Sequence, residues 1–368
     1  MVAHASQPPA GEPLPGPAAR GWRRVATIAG IVGLVAAALS VAVRVPFYAI
    51  APGEVLPTPN LVEVVDGPSY HPKGAVHLVT VFQAHVTPFD AMRGWLDPDV
   101  DVYRQKEIIP PDSSPKQIQR LNLRLMATSK ESALGVAFEQ LGYDAIRGDG
   151  AEIAQVVKGS PAEVAGLVAG DLITGVGSTR VQVHIDAVRS LGSRKPGDAV
   201  ALTVVPKATG KARQAEVVLA AQSDDKAKPL LGVVLRTKNL HFDFPYDVKV
   251  ASERIGGPSA GLAYTLEVLD VLTPGEITGG RDVAATGTIE LDGSVGEIGG
   301  IVQKTAAVAS AGIKLFLVPR GEYAEAKRRA GSTLRVEPVD DLDDALRILA
   351  DVGGNGLALG RLEAPRRS

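Results

Sequence analysis

Hydrophobic residues follow three different patterns along this chain. An uncharged apolar run extends from Val25 to Val43. β-Branched runs at 61–65 and 75–82 predict strands, whereas the spacing over 114–141 predicts a helix. From about residue 230 onward, strand-like and helix-like segments alternate, which indicates an α/β or α+β architecture. The patterns therefore predict several structural units of mixed type.

The apolar run is long enough to cross a bilayer, whose hydrocarbon core needs about 20 apolar residues in a helix. A cleaved signal peptide is the alternative, and small residues at 38–40 leave cleavage open, although its apolar region usually spans only about 7–15 residues. Arg20, Arg23 and Arg24 precede the run and Arg44 follows it. The positive-inside rule then predicts a cytoplasmic N-terminus and an extracytoplasmic remainder, located at the cell membrane.

Composition excludes several kinds of chemistry. The chain has 39 Lys+Arg against 41 Asp+Glu and a net charge of −2, which argues against nucleic-acid binding. It has no cysteine, so disulfides, thiolate catalysis and thiolate metal sites are ruled out. The sequence contains neither a G-x-x-x-x-G-K-[ST] loop nor an H-E-x-x-H motif. We therefore expect no cofactor and no metal site.

The middle of the chain carries glycine-rich turns in a recognisable order. Gly159-Ser-Pro-Ala162 is followed by Ala165-Gly166-Leu167, by Ala169-Gly170-Asp171-Leu-Ile173 and by Lys195-Pro-Gly-Asp198. This order resembles a bacterial PDZ domain, which implies peptide docking by strand addition to a sheet edge. The alternative is a spacer of the same shape without a working groove. A polar stretch at 221–229 predicts a linker after this unit.

A serine motif follows in the last unit. Residues 257–261 read G-P-S-A-G, which formally matches the G-x-S-x-G nucleophile elbow of α/β-hydrolases. Those enzymes, esterases among them, require a histidine after the serine, yet all six histidines precede residue 242. A triad with histidine first, using His184 or His241, stays open by order alone, although neither lies in a supporting motif.

A serine without histidine can be activated by a neutral lysine, whose pKa burial lowers. Lys304 lies on the otherwise apolar face of a predicted helix at 301–311. The alternative is a lysine whose aliphatic stem covers that face. Pro258 favours a helix start, so Ser259 is expected at a helix N-terminus, where free N–H groups can hold an oxyanion. A capping or packing serine is the alternative there.

Taken together, these segments resemble the proteolytic domain of Lon-type proteases over about 241–319. The match comprises P-S-A-G, then T-G-x-I-x-x-x-G-x-V-x-x-I-G-G, then the lysine and A-G-I-K-x-x-x-x-P. The resemblance implies Ser259 as nucleophile, Lys304 as general base and Thr286 as the residue that orients the lysine. We also predict three supporting residues, whose backbone lies next to Ser259 around the oxyanion hole: Gly257, Pro258 and Ala260.

Two departures from the Lon pattern stand out. Gly256 replaces an acidic residue that the family often has before Gly-Pro-Ser, and the ATPase of Lon-type unfoldases is missing. Anchor, β-rich segment, PDZ-like unit and Lon-like unit together resemble the membrane-anchored PDZ–Lon proteins of bacteria. This implies an ATP-independent serine endopeptidase that cleaves extracytoplasmic or membrane-associated proteins and peptides, with a possible homo-oligomer. The alternative is a catalytically weak PDZ scaffold with a degenerate protease domain.

The predicted fold is thus a multidomain α+β chain with a transmembrane helix. The predicted segments are a disordered cytoplasmic tail (1–24), the transmembrane helix (25–43), a β-rich extracytoplasmic segment with a helical end (44–130), a PDZ-like domain (131–222), a Lon-like α/β proteolytic domain (223–352) and a flexible tail (353–368). Helices of the Lon-like unit are predicted at 259–271, 301–311, 322–330 and 341–350.

Overall fold

The computed structural model describes residues 17–110, 113–252 and 255–356. The helices are α1 (Pro17–Ala42), α2 (Pro88–Leu96), α3 (Gln105–Ile108), α4 (Pro115–Gln140), α5 (Pro161–Val164), α6 (His184–Gly192), α7 (Gly261–Leu272), α8 (Ile301–Ser310), α9 (Tyr323–Ala330) and α10 (Leu342–Asp351). Short 3-10 helices occupy Thr58–Asn60 and Arg320–Glu322.

The first ten strands are β1 (Phe47–Pro57), β2 (Val62–Val64), β3 (Ala75–His85), β4 (Asp101–Arg104), β5 (Ile146–Arg147), β6 (Ala151–Val156), β7 (Leu172–Val176), β8 (Thr179–Arg180), β9 (Ala199–Val205) and β10 (Arg213–Val218). The others are β11 (Ala220–Ala221), β12 (Pro229–Leu230), β13 (Val233–Thr237), β14 (His241–Phe242), β15 (Val248–Val250), β16 (Asp282–Ala285), β17 (Thr288–Ile289), β18 (Val295–Gly296), β19 (Leu315–Pro319) and β20 (Arg335–Val339).

The chain separates into two compact units. Residues 17–51 and 82–110 form the first, which contains α1, α2, α3 and β4. Residues 52–81 and 113–356 belong to the second. Strands β1 and β3 each continue from one unit into the other. The mixed helices and strands, with one apolar helix near the N-terminus, confirm the predicted fold class.

A mainly parallel sheet forms the centre of the second unit. Strands β3, β16, β19 and β20 run parallel in the order β20-β19-β16-β3, and β1 follows β3. Helix α7 is buried along its whole length, and it packs against the long helix α4 on one core. Helices α8 and α9 contribute to a second core with β19 and β20. The sheet of the last predicted unit therefore also contains β3, a strand that lies far upstream in the chain.

A separate antiparallel sheet has the strand order β10-β9-β7-β6-β13. Its core consists of alternating residues of these strands together with α5 and α6. Strand β13 pairs with β6, from Val233 opposite Val156 to Thr237 opposite Ala151. The predicted limit at residue 222 therefore ends this sheet one strand too early, because β13 contributes to the core of this sheet.

Several predicted boundaries differ from the structure. Helix α4 is continuous through the predicted limit between residues 130 and 131. The predicted linker at 221–229 is bracketed by the paired strands β11 and β12. Residues 17–24, predicted as part of a disordered tail, belong to α1, whereas 1–16 lie outside the described residues.

Residues 353–356, predicted as the start of a flexible tail, have defined contacts. The N–H of Asn355 donates to the Glu276 carbonyl, and its side chain donates to the Pro274 carbonyl, so residues 353–356 are held to the second unit. Residues 357–368 lie outside the described part of the chain.

The segment predicted to be β-rich, 44–130, contains two helices before its helical end. Helix α2 precedes β4 there, and the short helix α3 follows it. Helix α2 begins with a capping box in which Thr87 accepts from the Asp90 N–H and Asp90 accepts from the Thr87 N–H. The Thr87-Pro88-x-Asp90 spacing is the sequence signal that identifies this start.

Helix α1 contains a stretch, Arg24–Ala42, that is long and apolar enough to cross a membrane. None of this stretch is buried within the described structure. A signal sequence near an N-terminus has the same length and composition, so both interpretations of the apolar run agree with α1.

Candidate active site

Lys304 is buried on α8. Its side chain is 2% exposed, and its Nζ donates a hydrogen bond of 3.0 Å to Thr286 Oγ1. Burial lowers the pKa of Lys304 from 10.5 to about 8, partly opposed by the negative charge of Glu322. A lysine whose stem covers an apolar face would keep its ammonium group in water, so the burial excludes that alternative.

Helix α8 starts from a glycine that the packing requires. Gly300 has a φ of +73°, and a Cβ at this position would lie 2.7 Å from Val81 Cγ1 of β3. Only glycine fits such a positive φ beside a neighbouring side chain without strain. The last residue of the predicted I-G-G motif therefore sets where the helix with Lys304 begins.

Thr286 connects the lysine to the serine loop. It follows β16, is fully buried, and its N–H donates to the Leu317 carbonyl of β19. Its hydroxyl donates to the Ser259 carbonyl oxygen at 3.2 Å while it accepts from Lys304 Nζ. A hydroxyl has one proton to donate, so these two contacts together fix its direction.

The loop that contains Ser259 is held on both sides. The Ser259 carbonyl accepts a second bond from the Gly287 N–H at 3.0 Å, and the Gly287 carbonyl accepts from the Leu262 N–H at 3.2 Å. Gly257 has a φ of +88°, which suits glycine at this turn. Residues 286–287 and the start of α7 therefore form one hydrogen-bonded unit.

Ser259 lies two residues before the first residue of α7, which begins at Gly261 rather than at the predicted residue 259. Ala260 is the N-cap residue, and no side-chain hydrogen bond caps this helix, so Ser259 is not a capping serine. Within the described residues, Ser259 Oγ forms no hydrogen bond, and neither do the N–H groups of Ser259 and Ala260. The serine side chain is partly exposed, so its hydroxyl is available to a substrate.

Helix α4 contacts the same loop, which the sequence reasoning missed. The Asn122 carbonyl accepts from the Gly257 N–H at 2.9 Å, and Ser129 Oγ donates to the Pro258 carbonyl at 3.0 Å. Both residues lie more than 120 positions upstream and belong to no motif. Ser129 is buried on α4, but its burial follows from tertiary packing and could not be read from the sequence.

Helix α4 packs closely against Gly256, the residue that replaces the acidic residue of the Lon pattern. A Cβ at Gly256 would lie 3.1 Å from the Asn122 Cβ, which is tighter than ordinary contact. The acidic group that affects the pKa of Lys304 is instead Glu322. Its Oε1 accepts from the Ile298 N–H at 2.8 Å, and its other oxygen is buried without a hydrogen-bond partner.

Helix α7 also buries a carboxyl group away from the serine. The Thr58 hydroxyl lies 2.8 Å from both Glu267 Oε2 and the Val76 carbonyl oxygen. Because the hydroxyl has one proton and the carbonyl can only accept, both contacts are satisfied when Glu267 is protonated and donates. Burial raises the pKa of Glu267 to about 7, with a smaller contribution from nearby Asp270.

The two histidines considered for a triad form hydrogen bonds away from Ser259. His184 Nδ1 lies 2.8 Å from Thr237 Oγ1, and His241 Nδ1 lies 2.9 Å from the Asn239 carbonyl. Neither ring hydrogen-bonds to Ser259, so the structure offers no triad with histidine first. In the part of the chain that the structure describes, no three His, Cys, Asp or Glu residues cluster as metal ligands would.

The family to which the sequence is similar defines the class of the protein, a serine peptidase. The family model for the Lon protease (S16) C-terminal proteolytic domain matches residues 155–351, more than half of the chain. The chain therefore belongs to the Lon protease family, as its resemblance predicted.

Curated relatives match between a quarter and a third of this chain. Lon protease of Campylobacter concisus is 34% identical over 128 residues, 34% of this chain and 15% of the relative. Lon protease of Chloroflexus aggregans is 32% identical over 130 residues, 34% of this chain and 14% of the relative. Lon protease 1 of Myxococcus xanthus is 42% identical over 94 residues, 25% of this chain and 11% of the relative. The matches thus span only a small part of those proteins.

Solved structures similar to the chain include two PDZ domains of SdrC-like proteins. The domain from Listeria monocytogenes is 28% identical and covers 24% of this chain and 87% of its own, with a TM-score of 0.21. The domain from Listeria innocua is 26% identical and covers 25% of this chain and 100% of its own, with a TM-score of 0.22.

Proposed function

We propose that this protein is an ATP-independent serine endopeptidase with a Ser259–Lys304 dyad. The observation that carries the proposal is the position of Thr286, whose hydroxyl accepts from Lys304 and donates to the backbone of Ser259. Thr286 therefore ties the base to the nucleophile loop. The missing bond between Ser259 Oγ and Lys304 Nζ is compatible with this role, because catalytic hydrogen bonds often tighten only when substrate binds.

In the proposed mechanism, neutral Lys304 accepts the Ser259 proton as Oγ attacks the scissile carbonyl carbon. One N–H of the amine bonds to Thr286, which leaves its lone pair for the serine proton. The protonated lysine then gives the proton to the leaving amine, and an acyl–serine ester forms. Water hydrolyses this ester with Lys304 again as the base, which regenerates Ser259.

The oxyanion is expected to bind the N–H groups of Ser259 and Ala260. Pro258 has no N–H, and the N–H of Gly257 already donates to the Asn122 carbonyl. Free backbone donors beside the nucleophile, at the start of a helix, stabilise the negative charge of a tetrahedral intermediate. Gly257 and Pro258 support the site through the turn that aims these groups.

The proposed substrates are flexible or unfolded protein segments. The sequence contains no G-x-x-x-x-G-K-[ST] nucleotide-binding loop, which supports cleavage without ATP. The docking element proposed for substrate chains is β13, an edge strand of the antiparallel sheet that pairs with β6 on one side. An extended peptide can add to such an edge through main-chain hydrogen bonds.

We propose that α1 anchors the chain in the cell membrane, with the N-terminus in the cytoplasm. The apolar length of α1 supports this location, and three arginines before the run against one after it support the orientation. A possible homo-oligomer is carried over from the family resemblance.

The first experiment measures cleavage of an unstructured fluorescent protein by the full chain in detergent, with and without ATP. Cleavage is expected without ATP and is expected to vanish in Ser259→Ala and in Lys304→Met. Exposed Ser310→Ala and Lys314→Met are the matched controls, which should keep wild-type rates. Thr286→Val should lower kcat, and Thr286→Ser should restore most of it, because the hydroxyl is what the site uses.

Covalent labelling discriminates between the enzyme and the scaffold alternative favoured by Gly256. A serine-directed phosphonate should label Ser259 in the wild type and not in Ser259→Ala. No labelling and no cleavage in the wild type would contradict the enzyme and favour the scaffold.

A charged substitution on the edge strand β13 tests whether substrate chains dock there. Val234→Glu in β13 should raise KM with kcat unchanged, whereas Val218→Glu in β10, at the opposite edge, should leave both unchanged. Val234 and Val218 are similarly exposed, at 50% and 59%. Equal KM values for the two variants would argue against docking at β13.

A further inference from the structure

Helix α2 in the first unit has an exposed apolar face. Phe89, Met92, Trp95 and Leu96 are 41%, 50%, 63% and 80% exposed. At about 100° per residue they fall, together with Pro88, within an arc of about 120°. Large apolar residues concentrated on one exposed helix face mark a contact with an apolar partner.

The opposite face of α2 is fixed to the protein. Ala91 and Gly94 are buried, and a Cβ at Gly94 would lie 2.7 Å from Val102 Cγ2 of β4. The capping box at Thr87 fixes the start of the helix. The exposed arc is therefore a firmly held surface and cannot turn inward without breaking this packing.

The arc lies close to the apolar helix α1. Helices α1 and α2 are in contact, and the Trp95 ring meets the Phe47 ring edge to face at 6.0 Å. Phe47 is five residues after Ala42, the last residue of α1, and five extended residues reach at most about 17 Å. If α1 spans a bilayer, α2 lies within reach of the surface where the chain leaves the lipid.

We propose that the exposed face of α2 (Phe89, Met92, Trp95 and Leu96) inserts into the headgroup region of the membrane beside α1. The proposal rests on the membrane anchoring proposed above. Exposed Arg93 borders the arc, where it would face anionic headgroups, and tryptophan is favoured at this depth. A second membrane contact would fix how the first unit is oriented at the bilayer.

The experiment uses the intrinsic fluorescence of the full chain. The sequence has two tryptophans, Trp22 and Trp95, so Trp22→Phe leaves Trp95 as the single reporter and Trp95→Phe leaves Trp22. Each variant is reconstituted into vesicles of phosphatidylcholine and anionic phosphatidylglycerol, with and without lipid brominated near the headgroup. Trp95 emission should shift to shorter wavelength on reconstitution and should be quenched by the brominated lipid.

Two substitutions test the face itself in the Trp22→Phe background. Met92→Glu should reduce the quenching of Trp95, whereas Val188→Glu, at a similarly exposed valine of α6, should leave it unchanged. Quenching of Trp22 without quenching of Trp95 would overturn the proposal while supporting the anchor. A blue-shifted but unquenched Trp95 would also overturn it, because a second copy of the chain would then cover the face.

If neither tryptophan is quenched, the anchoring proposal fails together with this one. Protease activity is measured separately in the same samples, so its loss or retention does not decide the question of membrane contact.

Discussion

The rate of cleavage should depend on pH through Lys304. As a general base the lysine must be neutral, and burial lowers its pKa to about 8. At pH 7 roughly a tenth of such a lysine is neutral, whereas a lysine with an ordinary pKa would be about 0.03% neutral. Burial therefore increases the active fraction at pH 7 by about 300-fold.

The assay is kcat/KM for an unstructured fluorescent protein between pH 6 and 11, because kcat/KM reports the pKa of the free enzyme. The rate should rise tenfold per pH unit below about 8 and become constant above it. Glu322→Gln removes the negative charge that holds the pKa of Lys304 up, so the rise should move to lower pH. Glutamine keeps an oxygen to accept the Ile298 N–H.

Exposed Glu216→Gln is the matched control and should leave the profile unchanged. A rate that is constant between pH 6 and 9, or one that rises only near pH 10.5, would refute the reasoning. A shift to higher pH in Glu322→Gln would contradict the assigned electrostatic effect of this residue.

Three further predictions concern stability and positioning. Each is measured on the full chain in detergent, stability by denaturant unfolding and kcat by cleavage of the unstructured fluorescent protein. Ser129→Ala removes the hydrogen bond to the Pro258 carbonyl, which should cost about 1 kcal/mol and lower kcat; an unchanged kcat would separate α4 from the site. Lys304→Met should raise the free energy of unfolding by about 3 kcal/mol below pH 8. The reason is that a base whose pKa is lower in the folded state destabilises the fold progressively as pH falls from 10.5 to 8. An unchanged free energy of unfolding at pH 7 would contradict the burial of the lysine. Glu267 has a raised folded-state pKa, so it should contribute about 3 kcal/mol to a fall in stability as pH rises from 4.5 to 7. Glu267→Gln should remove this contribution and leave that of Asp270, whose pKa burial raises to about 6; a pH dependence identical to the wild type would argue that Glu267 ionises freely.

The sequence was most informative where chemistry is concentrated in short motifs. The helix with Lys304 was predicted to begin at Ile301, where α8 begins, and the last predicted helix, 341–350, corresponds to α10 with Asp341 as its N-cap. The turn through Gly257 and Pro258 was predicted as well, although the helix starts two residues later. Local rules sufficed there because glycine, proline and capping side chains act on the backbone next to them.

The contacts of the site with distant segments could not be predicted in this way. Asn122 and Ser129 approach the serine loop only because α4 packs on α7, and no local pattern encodes that pairing. For the same reason the sequence prediction did not include β13 in the antiparallel sheet. Pairing between strands depends on tertiary packing, which a local pattern does not encode. The roles of Ser259 and Lys304 themselves remain predictions until the variants are measured.

Strand β3 has a consequence for how the protein is made. It pairs with β16, Ala75 opposite Asp282, across more than 200 residues of chain, and its Val76 and Leu78 are completely buried. At synthesis rates of about 5–20 residues per second, β3 waits roughly 10–40 s for that partner. During this interval an apolar strand edge is open to other chains. A chain shortened from its N-terminus past β3 would lack both β1 and β3 from the sheet that carries Thr286, so such fragments should aggregate rather than cleave.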